Sequence, residues 1–192
     1  LKNPGFVLDH GCGYGENLIF LTKKGYKVHG VEINKELIKW IDLKCRIKQI
    51  PRNQYSLELA ASDNKIAQDD ETFDHVISLG VLEMLGNKAA ATLYINELTR
   101  VLKPGGKMII STLHPENSFV VQSKKISSEQ FSFTGKEMDK EVQLQYELYI
   151  PKNANSFSKI FPKSCKVDEI GSWNNVYCNV NGKHYCALIT KK

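Results

Sequence analysis

The amino-acid sequence predicts an α/β fold built on a parallel β-sheet, and three observations support that prediction. Short apolar runs alternate with segments of helical periodicity, which is the rhythm of consecutive β-α-β units. The first two runs each end in an acidic residue, Asp9 and Glu32. A glycine-rich turn over residues 9–15 joins the first run to the first helix. The length of 192 residues suits one domain with one sizeable core, so we predict a single domain over residues 1–192.

The first 113 residues contain the predicted β-α-β units in order. The first helix carries its apolar residues on one side and stops at Gly25, and Asn34 is a suitable N-cap for the second helix. A turn at residues 103–106, Lys-Pro-Gly-Gly, separates the third helix from the last strand of this part. The predicted strands are 6–9, 28–32, 55–60, 73–79 and 107–113, and the predicted helices are 16–24, the segment after Asn34, and 89–102.

The rhythm breaks after residue 113. Residues 118–140 are polar and rich in Ser and Lys, which predicts a loop, and the alternation over 142–150 predicts a half-buried strand. Residues 165–170 and 184–190 are expected to form the last two strands of the sheet. The Asn181-Gly182 pair is also typical of a hairpin turn, which would make 176–180 the partner of the final strand. Both pairings stay open at this point.

The composition indicates an ordinary globular protein. Hydrophobic residues make up 42% of the chain and charged residues 24%, and the net charge of +5 comes from scattered lysines that suit a solvated surface. No apolar run approaches the ~18 residues of a membrane span, and no signal peptide is visible. The five cysteines include no C-x-x-C pair, so we expect reduced thiols, no metal site and a cytoplasmic location.

The glycine-rich turn is the candidate ligand site. Gly11, Gly13 and Gly15 let the backbone turn tightly and lie close to a ligand at the start of a helix. A dinucleotide-binding turn would place its third glycine at position 16, where this chain has Glu16. An acidic residue beside the turn suits a ligand that lacks pyrophosphate and carries a cationic amino group. We therefore expect Asp9 and the glycines to face an amino-acid group.

A second acidic residue follows at the distance expected for a sugar contact. Glu32 lies 21 residues after Gly11, at the end of the second predicted strand. One helix and one strand return the chain to the neighbouring edge of the cleft, where a carboxylate can accept both ribose hydroxyls.

Four segments resemble motifs of the class I S-adenosylmethionine (SAM)-dependent methyltransferases. Residues 7–15 resemble the first motif of that family, and residues 31–34 resemble the second. Residues 73–85 are similar to the fourth strand and the following helix, and residues 98–107 to the approach to the fifth strand. The resemblance covers residues 5–113 in order.

The resemblance implies a Rossmann-like, doubly wound sheet of seven strands in the order 3-2-1-4-5-7-6. The last strand is antiparallel, and this chain has an insertion after strand five. It also implies SAM as cofactor, S-adenosylhomocysteine as product, and adenine contacts from the loop after strand three. That loop departs from the family pattern here, and Met84 stands where the family often has a histidine. The predicted cofactor-binding residues are Asp9, Gly11, Cys12, Gly13, Tyr14, Gly15, Glu32, Ile33, Ser62, Asp63, Leu79 and Gly80.

The acceptor is expected beyond strands four and five. His114 directly follows strand five, so it is either a base or substrate ligand, or a turn residue before Pro115; Glu116 is a weaker second candidate. His10 and His29 fall in predicted strands and are interpreted as core residues. Residues 114–182 are the expected specificity region, whose aromatic side chains either cover the substrate or pack the added strand.

Three functions are compatible with these motifs. The first is methyl transfer to an oxygen or nitrogen of a small molecule, such as a sugar, a sugar nucleotide or a phosphorylated metabolite. The second is a SAM-binding partner subunit without turnover, and the third is a nicotinamide oxidoreductase, which Glu16 disfavours. No basic-aromatic stripe suggests nucleic acid, no membrane contact is expected, and the oligomeric state is open.

Overall fold

A seven-stranded β-sheet forms the centre of the structure, a computed structural model that describes residues 4–60, 65–136, 143–177 and 180–192. The strands are β1 Phe6–His10, β2 Lys27–Glu32, β3 Tyr55–Leu59, β4 Phe73–Leu79, β5 Leu102–Leu113, β6 Lys124–Lys125, β7 Gln130–Lys136, β8 Gln143–Tyr149, β9 Cys165–Tyr177 and β10 Val180–Lys191. The helices are α1 Glu16–Lys23, α2 Lys35–Ile47, α3 Lys88–Val101, α4 Ser118–Val121 and α5 Ala154–Ser158. Short 3-10 turns occupy Arg52–Gln54 and Leu82–Leu85.

The strand order of the main sheet is β3-β2-β1-β4-β5-β10-β9. The first five strands of this sheet are parallel, whereas β10 is antiparallel to both β5 and β9. In chain order, β9 and β10 are the sixth and seventh strands of this sheet. The predicted Rossmann-like order, with its antiparallel last strand, is therefore confirmed.

Both faces of the main sheet are covered by apolar packing. Helix α3 packs on one face, where Leu8, Val76 and Met108 belong to one buried cluster. Helices α1 and α2 cover the other face, where Val7 and Val28 belong to a second cluster. Burial on both faces explains why the parallel strands read as continuous apolar runs rather than as alternating patterns.

Local sequence signals place the helix starts as predicted. The Asn34 side chain accepts hydrogen bonds from the N–H groups of Glu36 and Leu37, and so caps α2. Asn87 caps α3 in the same way, by accepting from the N–H of Ala90. The predicted turn at 103–106 occurs within β5, because Leu102 and Lys107 keep partners in β4 while the register shifts between them.

The prediction of a loop over 118–140 is wrong for most of that segment. Residues Ser118–Val121 form α4, and β6, β7 and β8 form a separate three-stranded antiparallel sheet. The sequence of β7 looked like a loop because many of its residues are polar; only alternate side chains, such as Phe131 and Phe133, pack inward. The strand predicted over 142–150 is confirmed as β8, and residues 137–142 lie outside the described residues.

The prediction of a hairpin turn at Asn181-Gly182 is wrong, but both segments left open as partners of the final strand do pair with it, because residues 165–170 and 176–177 belong to the same strand β9. Asn181 and Gly182 lie inside β10, where Asn181 pairs with Val176 and Gly182 with Asn175. The β9–β10 ladder therefore runs further than the sequence suggested, and Cys178 lies outside the described residues. Within the described ranges, the other four cysteines are free, and no helix is both long and apolar enough to span a bilayer.

Candidate functional site

The carboxyl ends of the parallel strands place the predicted site residues along one edge of the main sheet. Asp9 and His10 end β1, Glu32 ends β2, Leu79 ends β4, and His114 follows the last residue of β5. Ligands of open α/β sheets bind outside this edge. Residues that are distant in sequence are thus assembled around one cleft.

Glu32 fixes the glycine-rich turn to the end of β2. Its Oε2 accepts a hydrogen bond from the N–H of Gly13 at 2.9 Å, and its Oε1 accepts from the N–H of Asn34 at 3.0 Å. The side chain is buried. A carboxylate has about four lone-pair positions, so acceptor capacity remains for the hydroxyl groups of a ligand.

The glycines of the turn serve different purposes. Gly11 has a φ of 72°, and a Cβ there would lie 2.1 Å from Cγ2 of Val81, so its absence lets the loop after β4 pack. Gly13 has a φ of 52°, and a Cβ there would meet nothing within 4 Å. A Cβ on Gly15 would lie 2.8 Å from Cγ2 of Ile41 on α2. Of the three, Gly13 is the one that opens onto free space, where a ligand can approach the backbone.

Asp9 is almost completely buried beside this turn. Burial raises the pKa of its carboxyl to about 7; the charge of Glu32 adds to the rise, and the N–H of Leu18 opposes it. Its Oδ2 has no hydrogen-bond partner among the described residues. A buried carboxyl with a vacant acceptor position suits a cationic group, next to which it would ionise.

Apolar side chains surround the mouth of the cleft. Tyr14, Ile33 and Leu79 are exposed: Tyr14 lies in the glycine-rich turn, Ile33 directly follows β2, and Leu79 ends β4. The Cys12 thiol instead belongs to the apolar cluster beneath the turn, so this residue offers a ligand only its backbone. Ser62 and Asp63, the predicted adenine-reading residues, lie outside the described residues.

A buried chain of hydrogen bonds supports the floor of the cleft. The Tyr94 hydroxyl lies 2.9 Å from Nδ1 of His10 and 2.6 Å from Oγ of Ser78. Burial lowers the pKa of His10 to about 4, so the ring is neutral. His29 lies 2.7 Å from Ser56 Oγ through Nδ1 and 2.9 Å from Glu58 Oε2 through Nε2. The interpretation of both histidines as satisfied core residues is confirmed.

His114 lies at the end of β5 with one ring nitrogen already engaged. Its Nδ1 accepts a hydrogen bond from the N–H of Glu116 at 3.0 Å, and its ring centroid lies 4.4 Å from that of Tyr185. Burial, assisted by the charge of Lys183, lowers the pKa of the imidazole. A neutral ring that accepts at Nδ1 carries its proton on Nε2. His114 therefore closes a turn through Nδ1 and keeps a hydrogen-bond donor on Nε2. The Glu116 carboxylate is paired with Lys183 at 2.7 Å.

Glu83 is a candidate residue that sequence analysis missed. It lies in the 3-10 turn after β4 and is buried, and its Oε2 has no hydrogen-bond partner among the described residues. Burial raises the pKa of Glu83 to about 7. Its Oε1 lies 3.8 Å from the position that a Cβ on Gly80 would occupy. The available signal was an acidic residue inside the apolar segment 81–85, directly after a strand that ends at the site.

The aromatic residues of the insertion mostly pack its own elements. Phe131 and Phe133 contact the cluster of Val120, Leu148 and Ile150, and Tyr149 and Phe157 are buried in the main core. Tyr146 is partly exposed. The packing interpretation is therefore favoured over a direct substrate cover. Within the described ranges, no group of three His, Cys, Asp or Glu side chains could hold a metal ion.

Comparison with known proteins adds a family to this geometry. The family model described as a methyltransferase domain matches residues 8–110. The YqeM protein of Bacillus subtilis is 30% identical over 144 residues, covering 70% of this chain and 56% of that protein. A ubiquinone biosynthesis O-methyltransferase of Xanthomonas oryzae is 31% identical over 108 residues, which are 56% of this chain and 43% of the enzyme. The chain thus spans about half the length of these curated relatives.

Solved structures share the fold at low sequence identity. A SAM-dependent methyltransferase of Methanosarcina mazei superposes with a TM-score of 0.82 at 18% identity, covering 100% of this chain and 94% of its own. The 1,6-didemethyltoxoflavin-N1-methyltransferase of Burkholderia thailandensis was solved with S-adenosylhomocysteine. It superposes with a TM-score of 0.68 at 14% identity, covering 99% of this chain and 72% of its own. These likenesses extend through the insertion and the β9–β10 hairpin.

Proposed function

We propose that this protein catalyses methyl transfer, because the chain belongs to the class I family of SAM-dependent methyltransferases. The cofactor of this family is SAM. The proposal assigns the cleft at the carboxyl ends of β1, β2 and β4 to the cofactor. Residues 1–113 form the cofactor-binding part in this proposal, and residues 114–182 form the specificity part.

The free space in front of Gly13 is the observation that carries the proposal. It lies beside the Glu32 carboxylate, and a ribose there can donate its hydroxyls to the remaining lone pairs of that group. The vacant Oδ2 of Asp9 suits the ammonium of the methionine part. Tyr14, Ile33 and Leu79 supply apolar contact, while Gly11, Cys12, Gly15 and Gly80 contribute backbone only. Ser62 and Asp63 are proposed for the adenine from their place in the sequence.

When bound, SAM supplies a methyl group activated on a sulfonium, so the protein has chiefly to align an acceptor with it. In the proposed site, His114 donates a hydrogen bond from Nε2 to the acceptor. Glu83, whose pKa is raised to about 7, takes the proton that an acceptor hydroxyl or amine loses. The 3.8 Å distance between its Oε1 and a Cβ position on Gly80 supports this role, since Gly80 is proposed as a cofactor contact.

The proposed acceptor is a small molecule methylated at oxygen or nitrogen. Two of the similar proteins support this class: one is a ubiquinone biosynthesis O-methyltransferase, and the other is a 1,6-didemethyltoxoflavin-N1-methyltransferase. The proposal includes no nucleic-acid or membrane partner and places the enzyme in the cytoplasm.

Calorimetric titration with SAM tests the cofactor site first. Glu32→Gln should weaken SAM binding about tenfold or more, since a shared carboxylate becomes an amide with one acceptor oxygen. Glu36→Gln is the matched control, because Glu36 is an exposed residue of neighbouring α2 that pairs only with Lys39 among the described residues. Equal SAM affinity in Glu32→Gln and in the parent protein would remove the assignment.

Incubation with methyl-labelled SAM and a metabolite extract then tests turnover. Label should move into a small, extractable compound, and the transfer should fall in Glu83→Gln. SAM binding without any label transfer would instead support the partner-subunit alternative.

A further inference from the structure

We infer that Lys44 on α2 is a positioning residue of the proposed cofactor site, because it holds the backbone of the glycine-rich turn at Tyr14. Its Nζ donates a hydrogen bond to the Tyr14 carbonyl at 3.2 Å and also contacts the Glu16 carboxylate. The inference rests on the proposed function for the identity of the ligand, whereas the contacts themselves are features of the fold.

The Tyr14 carbonyl is available to Lys44 because the start of α1 directs its N–H groups elsewhere. An α-helical hydrogen bond to this carbonyl would come from the N–H of Leu18, four residues later. That N–H donates to the carboxyl of Asp9 instead. Gly15, the N-cap of α1, has no side chain that could cap the helix. Lys44 therefore supplies the donor that the helix start does not.

The contact from Lys44 is held in place by its surroundings. Only 17% of the Lys44 side chain is exposed, so it has lost much of the rotamer freedom that weakens exposed ion pairs. Glu16 lies in the first turn of α1, where the helix dipole favours a negative charge. The hydrogen bond and the charge of Lys44 lower the pKa of Glu16, so the carboxylate stays ionised at neutral pH. Glu16 thus keeps the ammonium group beside the Tyr14 carbonyl.

Other contacts fix the glycines on either side of Tyr14. A Cβ on Gly15 would lie 2.8 Å from Cγ2 of Ile41, so the turn packs directly against α2, three residues before Lys44. Gly13 donates its N–H to the Glu32 carboxylate. The contact from Lys44 fixes the residue between these two glycines, which completes the attachment of the turn.

An ordered turn matters for the cofactor because the proposed ligand contacts lie on it. Gly13 opens onto free space, and the Tyr14 side chain is exposed at the mouth of the cleft. A turn that is already ordered loses less conformational entropy when a ligand binds. Loss of the Lys44 ammonium should therefore weaken cofactor binding although Lys44 itself is not among the proposed cofactor contacts.

Calorimetric titration with S-adenosylhomocysteine tests the inference on Lys44→Met, which keeps an apolar stem and removes the ammonium. The Kd should rise about threefold to tenfold, the effect of one hydrogen bond from a charged group. Tm should fall only slightly, because ion pairs near the surface contribute little to stability. Lys44→Arg keeps the charge and the donors, so it should restore most of the affinity.

Two matched variants separate the contact from general electrostatic effects. Lys48 lies one turn further along α2, and its charge reaches Glu16, but its side chain makes no hydrogen bond or ion pair among the described residues. Lys48→Met should therefore leave the Kd unchanged. Glu16→Gln removes the ion pair but leaves the ammonium beside the Tyr14 carbonyl, so its Kd should rise less than that of Lys44→Met.

Amide NMR spectra give a readout that a general loss of stability would not change. In Lys44→Met without ligand, the signals of Gly13, Tyr14 and Gly15 should shift or broaden. Saturation with S-adenosylhomocysteine should return them to the positions of the saturated parent protein. This pattern marks a turn that has lost its order in the free protein and regains it on binding.

Parent-like affinity in Lys44→Met would overturn the inference, and so would an equal loss of affinity in Lys48→Met. Failure of the proposed function gives a different result, since the parent protein itself would then not bind S-adenosylhomocysteine.

Discussion

Alanine substitution of two glycines in the turn should separate folding from cofactor binding. Gly11 and Gly13 both have positive φ, so either alanine costs about 1–2 kcal/mol of backbone strain. At Gly11 the new Cβ would also lie 2.1 Å from Cγ2 of Val81. Overpacking of this kind adds about 1–3 kcal/mol. At Gly13 the new Cβ would meet nothing within 4 Å.

Gly11→Ala should therefore be the less stable variant, whereas Gly13→Ala should keep more of its stability and bind SAM more weakly than the parent. Gly11→Ala should lose about 2–5 kcal/mol of unfolding free energy by adding the strain and overpacking terms. Gly13→Ala should lose only the strain, which lowers Tm by about 2–8 °C at about 2–4 °C per kcal/mol for a chain of this size. The methyl group of Gly13→Ala nevertheless enters the space proposed for SAM, so the affinity should fall about tenfold or more.

Urea unfolding and calorimetry with S-adenosylhomocysteine measure both quantities on the same preparations. Gly105→Ala is a suitable control, because Gly105 also has positive φ and an open Cβ position but lies at the opposite edge of the sheet. It should match Gly13→Ala in stability and the parent in binding. Binding like that of the parent in Gly13→Ala would contradict the proposed cofactor site, and a Gly11→Ala protein no less stable than Gly13→Ala would contradict the close contact with Val81.

Three further predictions follow from buried polar groups. Burial raises the pKa of Glu83 from 4.5 to about 7, so the folded chain holds more protons than the unfolded chain between these values. Its contribution to stability is thus lost as pH rises through that window. Glu83→Gln should reduce the stability difference between pH 5 and pH 8 in urea unfolding; an unchanged difference would contradict the raised pKa. Tyr94→Phe leaves His10 and Ser78 without their hydrogen-bond partner, so it should lower the free energy of unfolding by about 1–3 kcal/mol. In a double-mutant cycle its effect should be coupled to that of Ser78→Ala. His114→Asn keeps an acceptor for the N–H of Glu116, so Tm should hold while methyl transfer falls; unchanged transfer would leave His114 as a turn residue alone.

The parallel half of the fold could be predicted from sequence because each signal there is local. The bounds of β4 match the prediction at both ends, and Asn34 caps α2 as its side chain suggests. The glycine turn and Glu32 could also be placed, because strand ends in a parallel sheet meet at one edge. The separate purposes of the glycines could not be predicted, since Val81 and Ile41 come from distant segments.

The insertion and the final hairpin were harder to predict for a related reason. Strand β7 is half-buried and polar, so its own residues do not favour a strand strongly. Pairing with β8 is what makes this segment a strand. Asn181 and Gly182 favour a turn locally, but twelve paired positions between β9 and β10 outweigh that preference. Glu83 was missed because the acidic residue in the apolar segment 81–85 is a weak signal on its own: an acidic side chain can as well face solvent, and its burial shows only once the neighbouring elements are placed.

The position of β10 between β5 and β9 also has a consequence for the order of folding. Among the described strands, β9 pairs in the main sheet with β10 alone, so it cannot join that sheet before the later strand exists. The two strands are close in sequence, and such local pairs form early at low loop-closure cost. Their attachment to β5 joins residues more than seventy positions apart, as in the pairing of Thr112 with Tyr185. We expect the hairpin to assemble first and to dock as one unit, which would make the closing of the sheet edge a late, slow event.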